Sequence, residues 1–439
     1  MRRFIAGRLS AWKNSVRRKP LILRGARQVG KTFSVEQFGR AEFAQYVRVD
    51  LERNRDWHRI FDGSLAPRDL VAQLEVLSGK PISPRRTLLF FDEIQACPRA
   101  IMALRYFYEE MPDLHVMAAG SLLEFALSDI SFPVGRVQFL EMHPMTFAEY
   151  LWAIGKESAA DLVLGAPQAL PASVHDMLLS ELKKYCFVGG MPEAVRVYAE
   201  TQSVQAAFAV HGELCETYRH DFSKYTPRCD PHCLDAVFKS VAREAGHQVK
   251  YARLAEGHDY RTAKKAFELL CNARIVKPVP AASISLPLGA GASANRFKAL
   301  LLDVGLWQHL SGMRVEAEYA KEDLLDVYRG AMAEQFVGQE MTVSQGPELY
   351  YWSREAHGSS AEVDYLAVKE DGLWGVEVKS GSPGRIKSLR MLLDRFPACR
   401  GGIVLSSAPY SELPDQKLIL APLYFAFSST LSAPLDVSR

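Results

Sequence analysis

Residues 25–32 read Gly-Ala-Arg-Gln-Val-Gly-Lys-Thr and fit G-x-x-x-x-G-K-[ST] at Gly25, Gly30, Lys31 and Thr32. Such a loop turns its backbone N–H groups inward around phosphates, and a helix starting behind it adds partial positive charge. The spacing therefore predicts a phosphate cradle made of Gly25, Ala26, Arg27, Gln28, Val29, Gly30, Lys31, Thr32 and Phe33. Lys31 reaches the β- and γ-phosphates of ATP, and Thr32 ligates Mg²⁺. A second constellation follows at Asp92 and Glu93, directly after the apolar run Leu88–Phe91. Two carboxylates at the carboxyl end of a buried strand fall beside the phosphates. Asp92 is expected to hold Mg²⁺, and Glu93 to polarise the attacking water as general base.

Three elements must position these groups. Leu21–Leu23 is a short apolar run leading into the loop, and Phe33–Phe38 continues as a helix. Leu88–Phe91 reads as a central parallel strand, because a strand covered on both faces is continuously apolar. A third such strand, His115–Gly120, ends at Ser121, which is placed to sense the γ-phosphate or orient water. Arg136 is either an arginine that stabilises γ-phosphate charge, in cis or in a neighbouring subunit's site, or a surface residue.

The set GARQVGKT, LLFFDEI, AAGS, GRV and HPMTFAEYL resembles the bacterial and archaeal AAA+ ATPases that carry a C-terminal domain of unknown function. The resemblance is close over the N-terminal third. It implies a three-layer ATPase core of about five parallel strands, with ATP and Mg²⁺ as cofactors. It extends more sparsely to Gly189-Gly190-Met191-Pro192-Glu193 and to Lys298, Asp303, Gly305 and Leu306. Because such proteins often form rings, a homo-oligomer is a possible assembly, and Arg136 matters most there.

The middle of the chain carries fewer chemical signals. An Ala- and Leu-rich helical region precedes the Gly-Gly-Met-Pro-Glu segment and reads as a lid. Cys229, Cys233 and nearby His220 form a metal-like cluster, but zinc usually takes two separated ligand pairs, so a Pro-broken helix start is the better reading. From Ala236 to Pro280 the pattern is helix, short helix, helix, strand, the layout of a winged helix-turn-helix. Arg261, Lys264 and Lys265 lie near the start of its third helix, where DNA-binding versions meet the major groove or its phosphates. Residues 281–296 are small and glycine-rich and read as a wing or linker.

The last third holds the other chemical set. Helix-borne Glu334, then Asp364 on a strand, then Glu377 and Lys379 on the next strand fit the PD-(D/E)xK nuclease pattern. A β-strand repeats every two residues, so Glu377 and Lys379 share a face. Asp364 and Glu377 are expected to hold Mg²⁺, Lys379 to position water or stabilise charge, and Glu334 to orient the metal shell. Lys379, Arg385, Lys387, Arg390 and Arg395 form a phosphate track or a solvated helix face.

Composition sets the outer limits. The chain has 439 residues, 48% hydrophobic and 24% charged, which suits a globular protein of about three domains. Net charge is +2, so a nucleic-acid surface must come from local clustering. Seven scattered cysteines and no secretion signal imply a reducing cytoplasm. The basic N-terminus reads as an amphipathic helix with Ile5, Leu9 and Trp12 on one face, and no run of about 18 apolar residues exists to span a membrane.

The expected protein is an α/β P-loop ATPase divided as follows: AAA+ core, 1–150; helical lid, 151–225; winged-helix-like unit, 226–312; PD-(D/E)xK nuclease-like domain, 313–439. Its expected action is ATP hydrolysis coupled to DNA, of branched or foreign kind. The other reading is a nucleotide-switched signalling or scaffold ATPase with a non-catalytic C-terminal domain.

Overall fold

The computed structural model describes residues 1–121, 123, 133, 135–222, 229–315, 319, 329–356, 359–370, 372–380 and 386–430. Chain contacts divide it into two units, one of residues 2–143 with 272–274, the other of residue 1 with 144–271 and 275–439.

The first unit is built on a five-stranded sheet. Its strands are β1 (Leu21–Arg24), β2 (Gln45–Asp50), β3 (Thr87–Asp92), β4 (His115–Gly120) and β5 (Gln138–Glu141), in the order β2-β3-β4-β1-β5. Every neighbouring pair is parallel. Strands β3 and β4 are buried along their whole length, as their unbroken apolar sequence requires. Helices α1 (Phe4–Asn14), α2 (Lys31–Glu42), α3 (Pro67–Ser78) and α4 (Pro98–Glu110) accompany the sheet. Helix α1 buries Ile5, Leu9 and Trp12, the stripe seen in its sequence. A core of Ile22, Val47, Val49, Leu70, Leu74, Leu89, Phe91, Ile101, Leu104 and Phe107 packs one side of the sheet. Burying side chains of this size contributes about 1.5–3 kcal/mol each, which holds the strand ends, and the residues on them, in place.

The second unit begins with helices α5 (Phe147–Ala153), α6 (Glu157–Leu164), α7 (Ala172–Val188), α8 (Pro192–Thr201) and α9 (Val204–Phe222). Thr146 caps α5 through a reciprocal pair of bonds with Glu149, so Thr-Phe-Ala-Glu in the sequence is a capping box. Helices α10 (Pro231–Arg243), α11 (Tyr251–Leu254) and α12 (Tyr260–Asn272) precede an antiparallel hairpin of β6 (Val276–Pro280) and β7 (Phe297–Leu301). Asp230 caps α10, with Pro231 in its first turn, so the Cys229–Cys233 region is a helix start. Among the described residues no group of three or more His, Cys, Asp and Glu side chains is arranged to hold a metal ion.

Helix α13 (Val304–Leu310) begins at the buried N-cap Asp303. One Asp303 oxygen accepts from the backbone of Gly305 and Leu306, and the other from Gly190 N at 2.6 Å. One carboxylate thus ties the Gly-Gly-Met-Pro-Glu segment to the Asp-x-Gly-Leu segment.

Helix α14 (Arg329–Ser344) comes before a six-stranded mixed sheet in the order β12-β13-β11-β10-β9-β8. Its strands are β8 (Tyr350–Ala356), β9 (Ser359–Lys369), β10 (Gly372–Val378), β11 (Cys399–Ser406), β12 (Ser411–Leu413) and β13 (Leu418–Pro422). Helix α15 (Lys387–Arg395) lies between β10 and β11, and α16 (Ala426–Ser429) ends the described chain. Strands β9 and β10 carry Asp364 and Glu377, as the sequence pattern predicts, and Lys379 follows the last residue of β10. Strands β12 and β13 were not anticipated, because the three-residue β12 carries too little pattern to read. Arg385 of the expected basic track lies outside the described residues, and the helix there begins at Lys387.

Candidate functional site

The glycine loop joins β1 to α2, the context its sequence requires. Gly30 is the left-handed N-cap of α2, with φ of 91°. A Cβ on Gly25 would lie 2.3 Å from the carbonyl oxygen of Met142, so only glycine lets the loop pass there. Val29 is buried beneath the loop, whereas Phe33 on α2 stands exposed.

Lys31 is buried inside the loop and donates to the carbonyls of Gly25 at 2.9 Å and Ala26 at 2.7 Å. Burial lowers its pKa to about 8. Glu93 and Asp92 oppose that shift, while Arg27 and Arg274 add to it. The ammonium is therefore poorly compensated until an anion arrives.

Asp92 closes β3 and Glu93 follows it in the left-handed region, with φ of 49°. That turn separates the two carboxylates. Asp92 Oδ1 accepts from Thr32 Oγ1 at 3.1 Å and from the Glu93 backbone at 3.2 Å, and Oδ2 pairs with Arg48 at 2.7 Å. Burial raises the pKa of Asp92, with Arg48 opposing. Glu93 accepts from Gln95 Nε2 at 2.5 Å. Ser121, just past β4, is buried and accepts from Arg27 Nε at 3.3 Å. The ends of β1, β3 and β4 thus bring Lys31, Thr32, Asp92, Glu93 and Ser121 together. Oxygen donors suit Mg²⁺, and the facing Thr32 hydroxyl and Asp92 carboxylate are such a pair. The residues present fit that ion.

Arg136 lies apart from this group. Its side chain is 46% exposed and pairs with Glu109 at 3.2 Å. Sequence reasoning missed two other cations. Arg48 on β2 braces both Asp50 and Asp92. Arg274 is contributed to the first unit from far along the chain, with φ of 60°, and pairs with Glu141 at the end of β5. Its charge is felt at Lys31. No local spacing could have revealed it, since more than a hundred residues separate it from β5.

The second set also comes together. Glu334 projects from α14, Asp364 from β9 and Glu377 from β10. Lys379, one residue past the end of β10 rather than on it, pairs with Glu377 Oε1 at 2.5 Å. Asp364 Oδ2 accepts from Val378 N at 2.8 Å. The surprise is Lys298 on β7, whose Nζ lies 2.5 Å from Glu362, 2.7 Å from Glu334 and 3.5 Å from Asp364. Burial draws the lysine pKa down, but the three acids outweigh it and hold it above the ordinary value. Burial and the nearby Asp364 raise the pKa of Glu334, and they lift that of Glu377 to about 7. Lys298 was legible only as part of a family segment; its place among the acids came from the hairpin.

The basic residues of α12 are exposed: Arg261, Lys264 and Lys265 face solvent, with Lys264 3.8 Å from Glu268.

One family model covers the five-stranded sheet and its glycine loop. Residues 17–151 match the family described as AAA domain. Residues 179–317 and 329–423 match two domains of unknown function, DUF8612 and DUF4143. No curated protein matches the chain. Among solved structures, a Walker-type ATPase of Pyrococcus abyssi aligns at 15% identity and TM-score 0.44, covering 70% of this chain and 94% of its own. The Aeropyrum pernix Orc1 protein in complex with DNA aligns at 13% identity and TM-score 0.28, over 72% of this chain and 92% of that one. The Thermotoga maritima RuvB Holliday junction branch migration motor aligns at 16% identity and TM-score 0.30, over 63% and 89%. The AAA domain match, on a parallel five-stranded sheet with its phosphate loop at the end of β1, supports an AAA+ ATPase. No helix of the described residues is long and apolar enough to cross a membrane.

Proposed function

We propose that the protein binds and hydrolyses ATP with Mg²⁺ and couples that cycle to DNA. The observation that carries the first part is the buried Lys31, held by two carbonyls of its own loop beside Thr32 and Asp92. Phosphate oxygens offer Lys31 a stronger acceptor than those carbonyls, because charged partners make stronger hydrogen bonds. Gly25, Ala26, Arg27, Gln28, Val29, Gly30 and Phe33 complete the cradle, whose backbone N–H groups face the phosphates. Thr32 and Asp92 would hold Mg²⁺, which supplies charge neutralisation at the phosphates when bound. Glu93 accepts a proton from the attacking water, after leaving its bond with Gln95. Ser121 orients that water or senses the γ-phosphate. Arg136, exposed on its own unit, is suited to a neighbouring copy's site in a homo-oligomer.

The DNA assignment rests on chain layout. Three helices and a hairpin over residues 231–301 follow the winged-helix order, with Arg261, Lys264 and Lys265 exposed early on its third helix. The mixed sheet over residues 350–422, with Glu334, Asp364, Glu377 and Lys379, follows the nuclease-like pattern. The four-part division into ATPase core, lid, winged-helix unit and nuclease-like domain, and a cytoplasmic setting, belong to the same reading. The signalling or scaffold reading is favoured by one observation, the ammonium of Lys298 among the C-terminal acids.

The test is ATP turnover by wild type and Glu93→Gln, with and without single-stranded, duplex and four-way junction DNA. Turnover lost in Glu93→Gln and raised by one DNA form supports the proposal. Contacts to several phosphates also require DNA retention to weaken steeply from low to physiological salt. Turnover indifferent to every DNA form, with no salt-sensitive retention, overturns the DNA half and leaves the scaffold reading.

A further inference from the structure

The C-terminal carboxylates are arranged for a cation, and the chain supplies one. Lys298 is 2% exposed in its side chain and reaches Glu334, Glu362 and Asp364 together. The ring of Tyr351 lies 5.3 Å from its Nζ. A divalent Mg²⁺ needs the same oxygens drawn in to about 2.0–2.1 Å, in near-octahedral array. An ammonium takes them at about 2.7–2.9 Å, the range seen for Glu334.

Two of the remaining oxygens are engaged elsewhere. Asp364 Oδ2 is engaged by Val378 N, and Glu377 Oε1 by Lys379. Glu377 Oε2 is buried without a hydrogen-bond partner among the described residues. One oxygen each of Glu334, Glu362 and Asp364 converges on Lys298 Nζ, and the ammonium occupies that point, so the acids as arranged do not fit the Mg²⁺ that their sequence pattern suggests.

We infer, on the nuclease-like reading proposed above, that Lys298 is a built-in cation that closes this cluster to divalent metals. The lysine comes from β7, outside the six-stranded sheet that bears Asp364 and Glu377. The same acids become a metal site once the ammonium is gone, because they are then left with uncompensated charge.

The test needs no nucleotide and no DNA, so it is independent of the ATPase assignment. Mn²⁺ alone is titrated into the nucleotide-free full chain, and unbound Mn²⁺ is read by electron paramagnetic resonance. Wild type and Asp364→Asn are expected to bind equal numbers of Mn²⁺ ions. Lys298→Met is expected to gain one, which Lys298→Met/Asp364→Asn loses. Because Lys298→Met strips the counter-charge from three acids, Lys298→Met/Glu334→Gln is measured beside it, with folding checked by thermal melting. That pair removes one charge of each sign and is expected to gain the same ion. A wild-type Mn²⁺ ion that Asp364→Asn removes overturns the inference, and this comparison needs no lysine variant to fold. A folded Lys298→Met/Glu334→Gln protein that gains no ion overturns it as well.

Discussion

Lys31 and Lys298 are both nearly buried, at 7% and 2% exposure, and both have carboxylates nearby. They are held in opposite ways. Lys31 rests on two neutral carbonyls, and burial leaves its pKa depressed to about 8. Lys298 is surrounded by three acids, which keep its charge more firmly than water would. A charge resting on weak partners is ready for an anion, whereas one already neutralised has nothing left to offer. On the two proposals, the same residue type builds a ligand site in one place and a filled site in the other. Burial is common to both, so the difference lies in what the fold sets around each ammonium.

Substitutions at the two sites should therefore fail differently. Glu93→Gln should reduce ATP turnover by about 10²–10⁴-fold while nucleotide binding persists, since only the proposed base is lost. Steady-state turnover beside nucleotide titration checks this, and unchanged turnover would remove Glu93 from its role. Lys298→Met should destabilise the second unit by about 3–5 kcal/mol, the usual cost of leaving buried charges without their partner. Denaturant unfolding measures it, and Glu334→Gln added to Lys298→Met should recover part of the loss.

Lys31→Ala should lower turnover by about 10²–10³-fold, and it should weaken nucleotide binding too. Stability should change less than at Lys298, because the carbonyls of Gly25 and Ala26 carry no charge to strand. Arg274→Ala should cost about tenfold in turnover, as loss of one cation near the loop lysine rather than of a reacting group. If Arg274→Ala matches wild type, its pairing with Glu141 is structural only.

The smallest effect is with pH. Lys31 in the free protein loses its proton near pH 8, against an ordinary value of 10.5. Between those values the unfolded chain binds more protons than the folded one, so the penalty for burying this charge is full below pH 8 and relieved above it. Phosphates restore the charge, so ATP binding should take up a proton above pH 8, and affinity should fall as pH rises further. Calorimetry in buffers of different ionisation heat counts that proton, and Lys31→Met should abolish the uptake.

Much of the first unit was legible without coordinates. G-x-x-x-x-G-K-T between an apolar strand and a helix predicts its own geometry, because each part acts on its near neighbours. The unbroken apolar run before Asp92 likewise announces a strand covered on both faces. In the last third, the nearness of Glu377 and Lys379 was readable from their spacing of two. The short strands β12 and β13 were not, since runs of three and five residues carry no usable period.

What tertiary structure alone decided is which distant charges meet. Arg48 comes to Asp92 through the pairing of β2 with β3, and Arg274 joins Glu141 across most of the chain. Lys298 reaches Glu334, Glu362 and Asp364 from a hairpin outside their sheet. Local sequence determined the loop, the strands and the types of chemical groups, because backbone propensity and apolar period act over a few residues. The state of each group was left to the fold, because Coulomb interaction and desolvation depend on distance in space and not on separation along the chain.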